Sequence, residues 1–459
     1  MLRIARLCFA IPALLIAACA SLAEGARPLT AFVGVTLITA YGEPHRENQT
    51  VLVRDDRILE VGDMGEVFIP WGSHEVDGGG RVLAPGLVDM HVHIFMPDDG
   101  VLFLANGVTT VRNMSDRAET IVLAAEIDAG TRPGPRIYSS TPIIDGPQAD
   151  WENPRATRSA DDMRRRIAEL DNSEHVGVKL YENLSREAFV AGVEEARARQ
   201  MQVYAHVPFS MSLSDVLALG IDSVEHLTGF DRALAPASQS SWDEQRWAEM
   251  DASRVAPVVR EVAASGVWND STLITAIGAR RAFADMQAAQ AEPLYRYATP
   301  RLRAHWRAIQ ADEAAERDPA ETWAVVQLAH AARLEVVRAL HEAGAPLLFG
   351  TDAPQPFIYP GYSLHDEFAL HLDAGLTPTD ILRADTEGSA NFLNEQGVFG
   401  RIEPGARADL LLLDRDPEAD LSTLRAPQGV MAAGRWYDAV TLQRMLGDIA
   451  ARIAAETAH

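Results

Sequence analysis

The sequence predicts an α/β fold: a (β/α)8 TIM barrel with a small composite β-sandwich domain built from the N- and C-terminal segments. In the middle of the chain, short apolar segments alternate with longer helical stretches, which is typical of βα units around a parallel sheet. Short strands punctuated by glycine and aspartate occur before and after this region. The 459 residues suffice for one barrel and an accessory domain.

Eight predicted strands share an apolar body and end next to a polar residue or a turn. They are Leu87–His93, Val108–Met114, Pro135–Ser140, Val176–Tyr181, Gln202–His206, Ser223–His226, Val267–Ile274 and Pro346–Asp352. These strands place the barrel at residues 86–394, with its chemistry at the C-terminal ends of the strands. A doubly wound sheet is the structural alternative, because a count of strands does not distinguish a closed sheet from an open one.

The seventh βα unit is unusually long, since about seventy residues separate Ile274 from Pro346. Within it, Arg301–Glu316 and Thr322–Ala343 are rich in Ala, Leu, Arg and Glu and are predicted to be helices. Such helices either cover the strand ends as a lid or belong to the outer ring. A further helix is predicted for residues 441–459.

The composite β domain is assigned to residues 27–85 plus 395–440. Its first part contains three strand-like segments, and a similar texture returns near the C-terminus. The segments are Phe32–Ile38, Thr50–Val53, Arg57–Gly62, Ala408–Asp414 and Gly429–Arg435. Because the two parts resemble each other, we expect them to form one domain.

The N-terminus has the pattern of a signal peptide over residues 1–23, since Arg3 and Arg6 precede the apolar run Leu7–Ala18. The segment that ends at Cys19 resembles a bacterial lipobox, in which this cysteine is lipidated. Cleavage after Ala23 is the alternative. The apolar run is shorter than the ~20 residues of a spanning helix. We therefore expect an exported protein, periplasmic or lipid-anchored at the bacterial envelope.

Composition limits the partners and the chemistry. With 65 acidic and 41 basic residues, the net charge of −24 repels phosphate backbones and anionic lipid, which excludes a nucleic-acid-binding protein. Both cysteines, Cys8 and Cys19, lie in the leader, so the remaining chain has no disulfide and no thiol nucleophile. The expected partners are a small-molecule substrate, a membrane only through the N-terminal lipid anchor, and further copies of the chain in a homo-oligomer.

The most informative motif is the histidine pair His91 and His93. Residues two apart on a strand point to the same face, so the pair aims two imidazoles at one point, which is typical of a metal site. Asp89 shares this face and is placed to orient one imidazole. Two unrelated strand histidines are the alternative, because so short a motif also occurs by chance.

Four more polar residues end predicted strands: Lys179, His206, His226 and Asp352. A titratable group at the C-terminal end of a barrel strand indicates function, whereas the same group deep in the wall is costly to bury. Each one alone also fits a hydrogen-bonded structural residue or a turn. Together with the histidine pair, they predict one site.

The order HxH, Lys, His, His, Asp resembles the amidohydrolase superfamily, and the flanking sequence is similar to its imidazolonepropionase-related branch. The supporting segments cover essentially the whole chain after the leader. They are residues 84–93, 107–114, 223–226, 350–352, 374–378 and 400–410.

This resemblance implies two divalent metal ions, usually Zn²⁺. One is bound by His91, His93 and Asp352, and the other by His206 and His226. Lys179 bridges them after CO2 converts its amine to a carbamate, as in dipeptidase-like members with a lysine on the fourth strand. The alternative is a single metal with Lys179 in a salt bridge or in contact with the substrate.

The implied function is hydrolysis of an amide (peptide-like) C–N bond by hydroxide that the metals make available, in a dipeptide or an N-acyl amino acid. Asp352 acts first as base and then as acid. Tyr181 and His365 are the candidate substrate contacts, although Tyr181 fits core packing equally well. The alternatives are a cyclic amide or lactone hydrolase with one metal and a non-catalytic, metal-stabilised binding protein.

Overall fold

The structure, a computed structural model, describes residues 29–149, 156–170 and 175–457. The predicted signal peptide, with Cys8 and Cys19, lies outside the described residues. Within the described ranges, every helix is too short or too polar to cross a membrane.

The described residues form strands β1–β16, numbered in chain order. They are Thr30–Leu37, Arg46–Arg54, Arg57–Asp63, His74–Asp77, Val82–Pro85, Leu87–Val92, Val108–Asn113, Arg136–Ser140, His175–Leu180, Gln202–Ala205, Ser223–Glu225, Trp268–Asp270, Leu347–Leu348, Leu410–Leu413, Gly429–Ala432 and Arg435–Asp438. The strands belong to two sheets of eight strands each.

One sheet is the barrel, in which β6–β13 are parallel and pair in chain order. Its first and last strands meet through backbone hydrogen bonds. The Met90 amide donates to the Phe349 carbonyl at 2.9 Å, and the His93 amide donates to the Ala353 carbonyl at 2.7 Å. The predicted (β/α)8 barrel is therefore confirmed over the doubly wound alternative.

Helices follow most barrel strands, and the longest of all, Pro319–Glu342, lies in the seventh unit. The α-helices are Asp99–Ala105, Ala118–Ala129, Ala160–Leu170, Arg186–Ala198, Leu213–Ala218, Phe230–Leu234, Asp243–Ala248, Val255–Ser265, Leu273–Ala284, Met286–Ala291, Pro300–Glu316, Pro319–Glu342, Tyr362–Asp373, Pro378–Arg383, Ser389–Phe392 and Ala439–Thr457. Short helical turns cover Ala252–Arg254, Pro293–Tyr297, Ala384–Gly388 and Leu421–Arg425. The two predicted helices of the seventh unit are thus present.

The predicted seventh strand, Val267–Ile274, is too long. It ends at Asp270, and a helix begins at Leu273. The buried carboxylate of Glu367 causes the early start of the helix, because it accepts hydrogen bonds from the amides of Leu273 at 2.9 Å and Ile274 at 2.7 Å. These amides have no partner within the helix, so Glu367 replaces the missing carbonyls.

The second sheet is the composite β domain, with strand order β16-β15-β14-β5-β1-β2-β3 and β4 paired to β1. The two ends of the chain meet where β5 and β14 run antiparallel, with Leu83 opposite Leu412. Phe32 and Trp436, from opposite ends of the chain, pack edge to face with ring centroids 5.1 Å apart. The prediction of one domain from both termini is confirmed, and its exact boundaries stay a prediction.

The C-terminal helix Ala439–Thr457 is amphipathic, as predicted. Its buried side chains recur at helical spacing: Leu442, Leu446, Ile449 and Ile453. They pack towards the helix Asp99–Ala105, which follows the first barrel strand.

A buried arginine, Arg112 on β7, crosses the interior of the barrel. Its Nη2 donates to Glu225 at 3.0 Å and to Asp270 at 3.3 Å, and its Nε donates to the Met90 carbonyl at 2.6 Å. The guanidinium lies over the ring of Tyr204, 4.6 Å from its centroid. One cation thus lies between two acidic side chains that are fully removed from water, where burial and the nearby Glu225 raise the pKa of Asp270.

We expect Arg112→Met to lower the free energy of unfolding by about 3–5 kcal/mol, because two buried carboxylates lose their counter-charge. Urea denaturation measures this change. Arg164→Met, which removes an exposed ion pair with Asp161, is the control and costs less than about 1 kcal/mol. Equal stability of the two variants would contradict the role assigned to Arg112.

Candidate metal centre

The ends of five barrel strands bring the six predicted ligand residues to one place. His91 and His93 lie at the end of β6, Lys179 near the end of β9, and His206, His226 and Asp352 just after β10, β11 and β13. The rings of His91 and His226 are 4.4 Å apart, and those of His206 and His226 are 4.7 Å apart. Nε2 of His93 lies 3.0 Å from Oδ1 of Asp352.

Two of these residues have left-handed backbone conformations that turn the chain at the strand end. The φ angle is +58° at both His226 and Asp352. The Asp352 amide donates to the His91 carbonyl at 2.6 Å, and the His226 amide donates to the Asp270 carbonyl at 2.7 Å. Such conformations are costly for residues other than glycine and persist where the surroundings hold them, typically at functional sites.

The side chains fit a divalent metal ion. The ligand atoms of His91, His93 and Asp352 all lie within 4.8 Å of one another. Nε2 of His91, Nε2 of His206 and Nζ of Lys179 are buried without a hydrogen-bond partner among the described residues. Buried polar atoms rarely stay unpaired, because each costs about 1–3 kcal/mol. Imidazole nitrogen and carboxylate oxygen are ordinary zinc ligands.

Three residues that sequence analysis missed orient the imidazoles. Nδ1 of His91 lies 2.7 Å from Glu225, and Nδ1 of His206 lies 2.7 Å from Glu182. Nδ1 of His226 lies 2.6 Å from Oγ1 of Thr272. Each contact occupies one ring nitrogen and leaves Nε2 for a metal. The spacing of these partners along the chain gives no signal, because each pair joins different strand ends.

The orienting role predicted for Asp89 is wrong. Its carboxylate accepts hydrogen bonds from the Thr351 amide at 3.0 Å and the Thr351 hydroxyl at 2.7 Å, and Glu225 takes the imidazole of His91 instead. Asp89 lies one pleat deeper in the barrel, opposite the last strand. It therefore fixes the residue directly before Asp352.

Burial sets the protonation states of the site. It lowers the pKa of His91 and His206 well below the usual value and that of His226 to about 3, so these imidazoles are neutral and able to bind metal at pH 7. Burial also lowers the pKa of Lys179 to about 8. It opposes ionisation of Asp352, but His226 and His93 outweigh it and lower the pKa of this carboxyl.

Of the two candidate substrate contacts, one lies in the cavity wall and the other does not. Tyr181 packs on His206, with ring centroids 3.9 Å apart, and lines the cavity above the strand ends. His365 is buried on the helix Tyr362–Asp373 and is absent from the cavity wall. Its neighbours are Phe368 and Arg425. The structure therefore does not place His365 in the cavity wall; its ring lies against Phe368, with centroids 6.5 Å apart.

The cavity has a volume of about 470 Å³ and includes Tyr181, His206, His226 and Asp352 in its wall. The seventh unit supplies much of the remaining wall. Arg280, Arg317 and Arg333 from this unit line the cavity. The long insertion thus lies near the site, as expected, and contributes polar groups to it.

Comparison with known proteins decides the family. Residues 82–437 match the sequence profile of the Amidohydrolase family. The chain belongs to the amidohydrolase family. It is therefore a metal-dependent hydrolase that acts on carbon–nitrogen bonds, and the predicted superfamily is confirmed.

Solved amidohydrolase structures agree with this fold. Bottromycin amidohydrolase is 27% identical, with a TM-score of 0.74 over 96% of this chain and 93% of that one. A Xaa-Pro dipeptidase with bound methionine in the active site is 17% identical, with a TM-score of 0.64 over 89% and 100%. Ochratoxinase of A. niger is 18% identical, with a TM-score of 0.60 over 90% and 96%.

A match to a curated relative is much shorter. The chain is 42% identical to a dihydroorotase of Geobacter sp. (strain M21) over 50 residues, which is 11% of each chain. So short a match does not extend the activity of that relative to this chain.

We expect Glu182→Ala to lower the affinity for Zn²⁺ about 10–100-fold, because His206 loses the carboxylate that fixes its ring. Competition with a chromophoric chelator measures this affinity. Glu187→Ala, at an exposed position of the next helix, is the matched control and leaves the affinity unchanged. Equal affinities would show that Glu182 does not orient a ligand.

Proposed function

We propose that this protein hydrolyses the amide bond of a dipeptide or an N-acyl amino acid outside the cytoplasm, with two Zn²⁺ ions. The observation that carries the proposal is the cluster of buried, unpartnered ligand atoms at the strand ends, which opens onto a polar cavity. Hydrolysis of such a substrate needs a positioned water, a proton acceptor and recognition of the carboxylate next to the scissile bond.

The distribution of ligands favours two metal ions. His91, His93 and Asp352 form one compact group, and Nε2 of His206 lies outside it although it is also buried and unpartnered. A single ion in the first group leaves His206 without a partner. His206 and His226 would therefore hold a second ion. When bound, such ions polarise a carbonyl and lower the pKa of water towards neutrality.

Lys179 fits the role of a bridging residue after carboxylation. An ammonium cannot bind a cation, and the buried Nζ has no acceptor among the described residues. In the proposed step, the neutral amine attacks the carbon of CO2, an N–C bond forms and the nitrogen loses a proton. The product is a carbamate anion. Each of its two oxygens would serve as a ligand for the metal ion held by one group of histidines.

Asp352 is the residue placed to move the proton. It lies in the cavity wall, its backbone is fixed by His91, and its low pKa keeps it ionised. It would accept a proton from the attacking water and deliver it to the leaving nitrogen, so that one carboxylate serves as base and then as acid. No covalent intermediate is needed.

Arg232 supports a substrate with a free carboxylate. It lines the cavity beside His206, and its Nη2 donates to the carbonyls of Val207 at 3.0 Å and Pro208 at 3.2 Å. No carboxylate of the described residues is hydrogen-bonded to it. By contrast, Arg246 pairs with Asp231 at 2.5 Å in the same cavity. A guanidinium with open donors binds carboxylates well, which favours an amino-acid product over a neutral lactone.

The first test combines metal removal with loss of the proton acceptor. We expect a chelator to abolish hydrolysis of dipeptides or N-acyl amino acids, and Zn²⁺ with bicarbonate to restore it, since bicarbonate keeps Lys179 carboxylated. Asp352→Asn should lower kcat at least about a hundredfold. Asp251→Asn, at an exposed position, is the control. Full activity in Asp352→Asn would refute the mechanism, and hydrolysis of lactones alone would refute the substrate class.

The second test concerns Arg232. We expect Arg232→Gln to raise KM for a substrate with a free carboxylate at least about tenfold, because a charge-assisted hydrogen bond is lost. KM for the corresponding C-terminal amide should stay the same. Arg280→Gln is the matched variant, because Glu244 and Glu313 each lie 3.8 Å away and offset its charge. An equal rise for acid and amide would contradict the proposed contact.

A further inference from the structure

The loop between β3 and β4 exposes an unusual set of large apolar side chains. Met64, Phe68 and Trp71 are exposed by 54%, 77% and 102%. We call these three side chains the apolar tip. Trp71 is the most exposed large apolar side chain among the described residues. Three such side chains within eight residues of one loop put apolar surface in contact with water, which is costly and marks interaction sites.

The loop presents the apolar tip in a fixed position. Val67 and Ile69 pack inwards against Ala31 and Leu52 of the composite domain, and Phe68 between them points outwards. Next to Trp71, the amide and hydroxyl of Ser73 both donate to the Pro70 carbonyl, at 3.1 and 2.7 Å. The loop that carries the exposed side chains is therefore packed against the composite domain and fixed by its own hydrogen bonds.

The N-terminal end of the described chain lies against the same loop. The carbonyl of Leu29 accepts a hydrogen bond from the His74 amide at 2.7 Å. The side chain of Leu29 belongs to the same apolar cluster as Val67 and Ile69. The predicted lipidation site, Cys19, precedes Leu29 by ten residues, which span at most about 35 Å. A lipid anchor at Cys19 would thus hold the apolar tip within reach of the bilayer surface.

We propose that the apolar tip docks on the surface of a lipid bilayer, with Phe68 and Trp71 inserted at the level of the headgroups. Aromatic side chains, and Trp above all, favour this interface. A tether alone fixes distance and not orientation, whereas a second contact fixes both. This proposal is independent of the proposed catalytic function.

The size and charge of the surroundings favour a bilayer over a second copy of the chain. Three side chains offer roughly 500 Å², whereas a stable dimer buries at least about 1,200 Å². Asp63 and Glu66 flank Met64, and the whole chain carries a net charge of −24. This negative charge repels anionic lipid. We therefore expect docking on zwitterionic phosphatidylethanolamine and phosphatidylcholine, weakened by phosphatidylglycerol.

A single fluorescent label tests insertion directly once Cys8 and Cys19, the only cysteines of the chain, are replaced by serine. Phe68→Cys carries an environment-sensitive dye, and Leu328→Cys, exposed by 62% on a barrel helix, carries it as the matched control. The full chain with Cys8→Ser and Cys19→Ser, labelled at one of these two positions, is added to phosphatidylethanolamine and phosphatidylcholine vesicles. For the dye at position 68 only, we expect the emission to shift to shorter wavelength and to be quenched by a quencher located at the level of the lipid headgroups.

A vesicle flotation assay provides the second readout. We expect the double variant Phe68→Ser with Trp71→Ser, combined with Cys19→Ser to remove the tether, to bind vesicles at least about tenfold more weakly than Cys19→Ser alone. Equal dye signals at positions 68 and 328 would overturn the proposal. So would a shift at position 68 that depends on protein concentration without lipid, since this indicates contact with a second copy.

Discussion

The carboxylate of Glu225 connects the interior of the barrel to the metal ligands, and the site depends on this connection. On one side it accepts hydrogen bonds from Arg112, and on the other it lies 2.7 Å from Nδ1 of His91. The carboxylate is fully buried, so its charge requires both partners. The same carboxylate that pairs with Arg112 in the core therefore fixes the ring of His91, whose Nε2 lies 3.6 Å from Oδ1 of Asp352.

The strands and the insertion contribute different parts of the site. The strand ends hold the imidazoles in place, because His91, His206 and His226 each contact a polar side chain from the end of another strand. The long seventh unit contributes arginines to the cavity wall, as do the two short helices after β11. The barrel thus supplies the candidate metal ligands, and the segments above it supply much of the rest of the cavity wall, as is usual for this fold.

The sequence was sufficient to predict which residues meet at the strand ends and insufficient to predict the partners that orient them. His91, His93, Lys179 and Asp352 were predictable, because strand parity and the strand-end rule are local properties of the chain. Glu225 and Glu182 were not, since their contacts join strands that are distant in sequence.

The errors have the same origin. Asp89 shares the face of the histidines, but its depth in the barrel sets its partner, Thr351. The end of the seventh strand depends on Glu367, which lies about a hundred residues further along. His365 follows the last strand in sequence, but it is buried and does not line the cavity. Tertiary contacts decide each of these features, and local pattern does not report them.

The central claim is that the strand ends hold two metal ions bridged by a modified Lys179. Anomalous X-ray diffraction at the zinc edge, from crystals grown with Zn²⁺ and bicarbonate, measures this directly. The account predicts two peaks, one within about 2.0–2.2 Å of ligand atoms of His91, His93 and Asp352, and one equally near His206 and His226. It also predicts continuous electron density from Nζ of Lys179 to both ions. A single peak, or two peaks with an unmodified lysine between them, would contradict it.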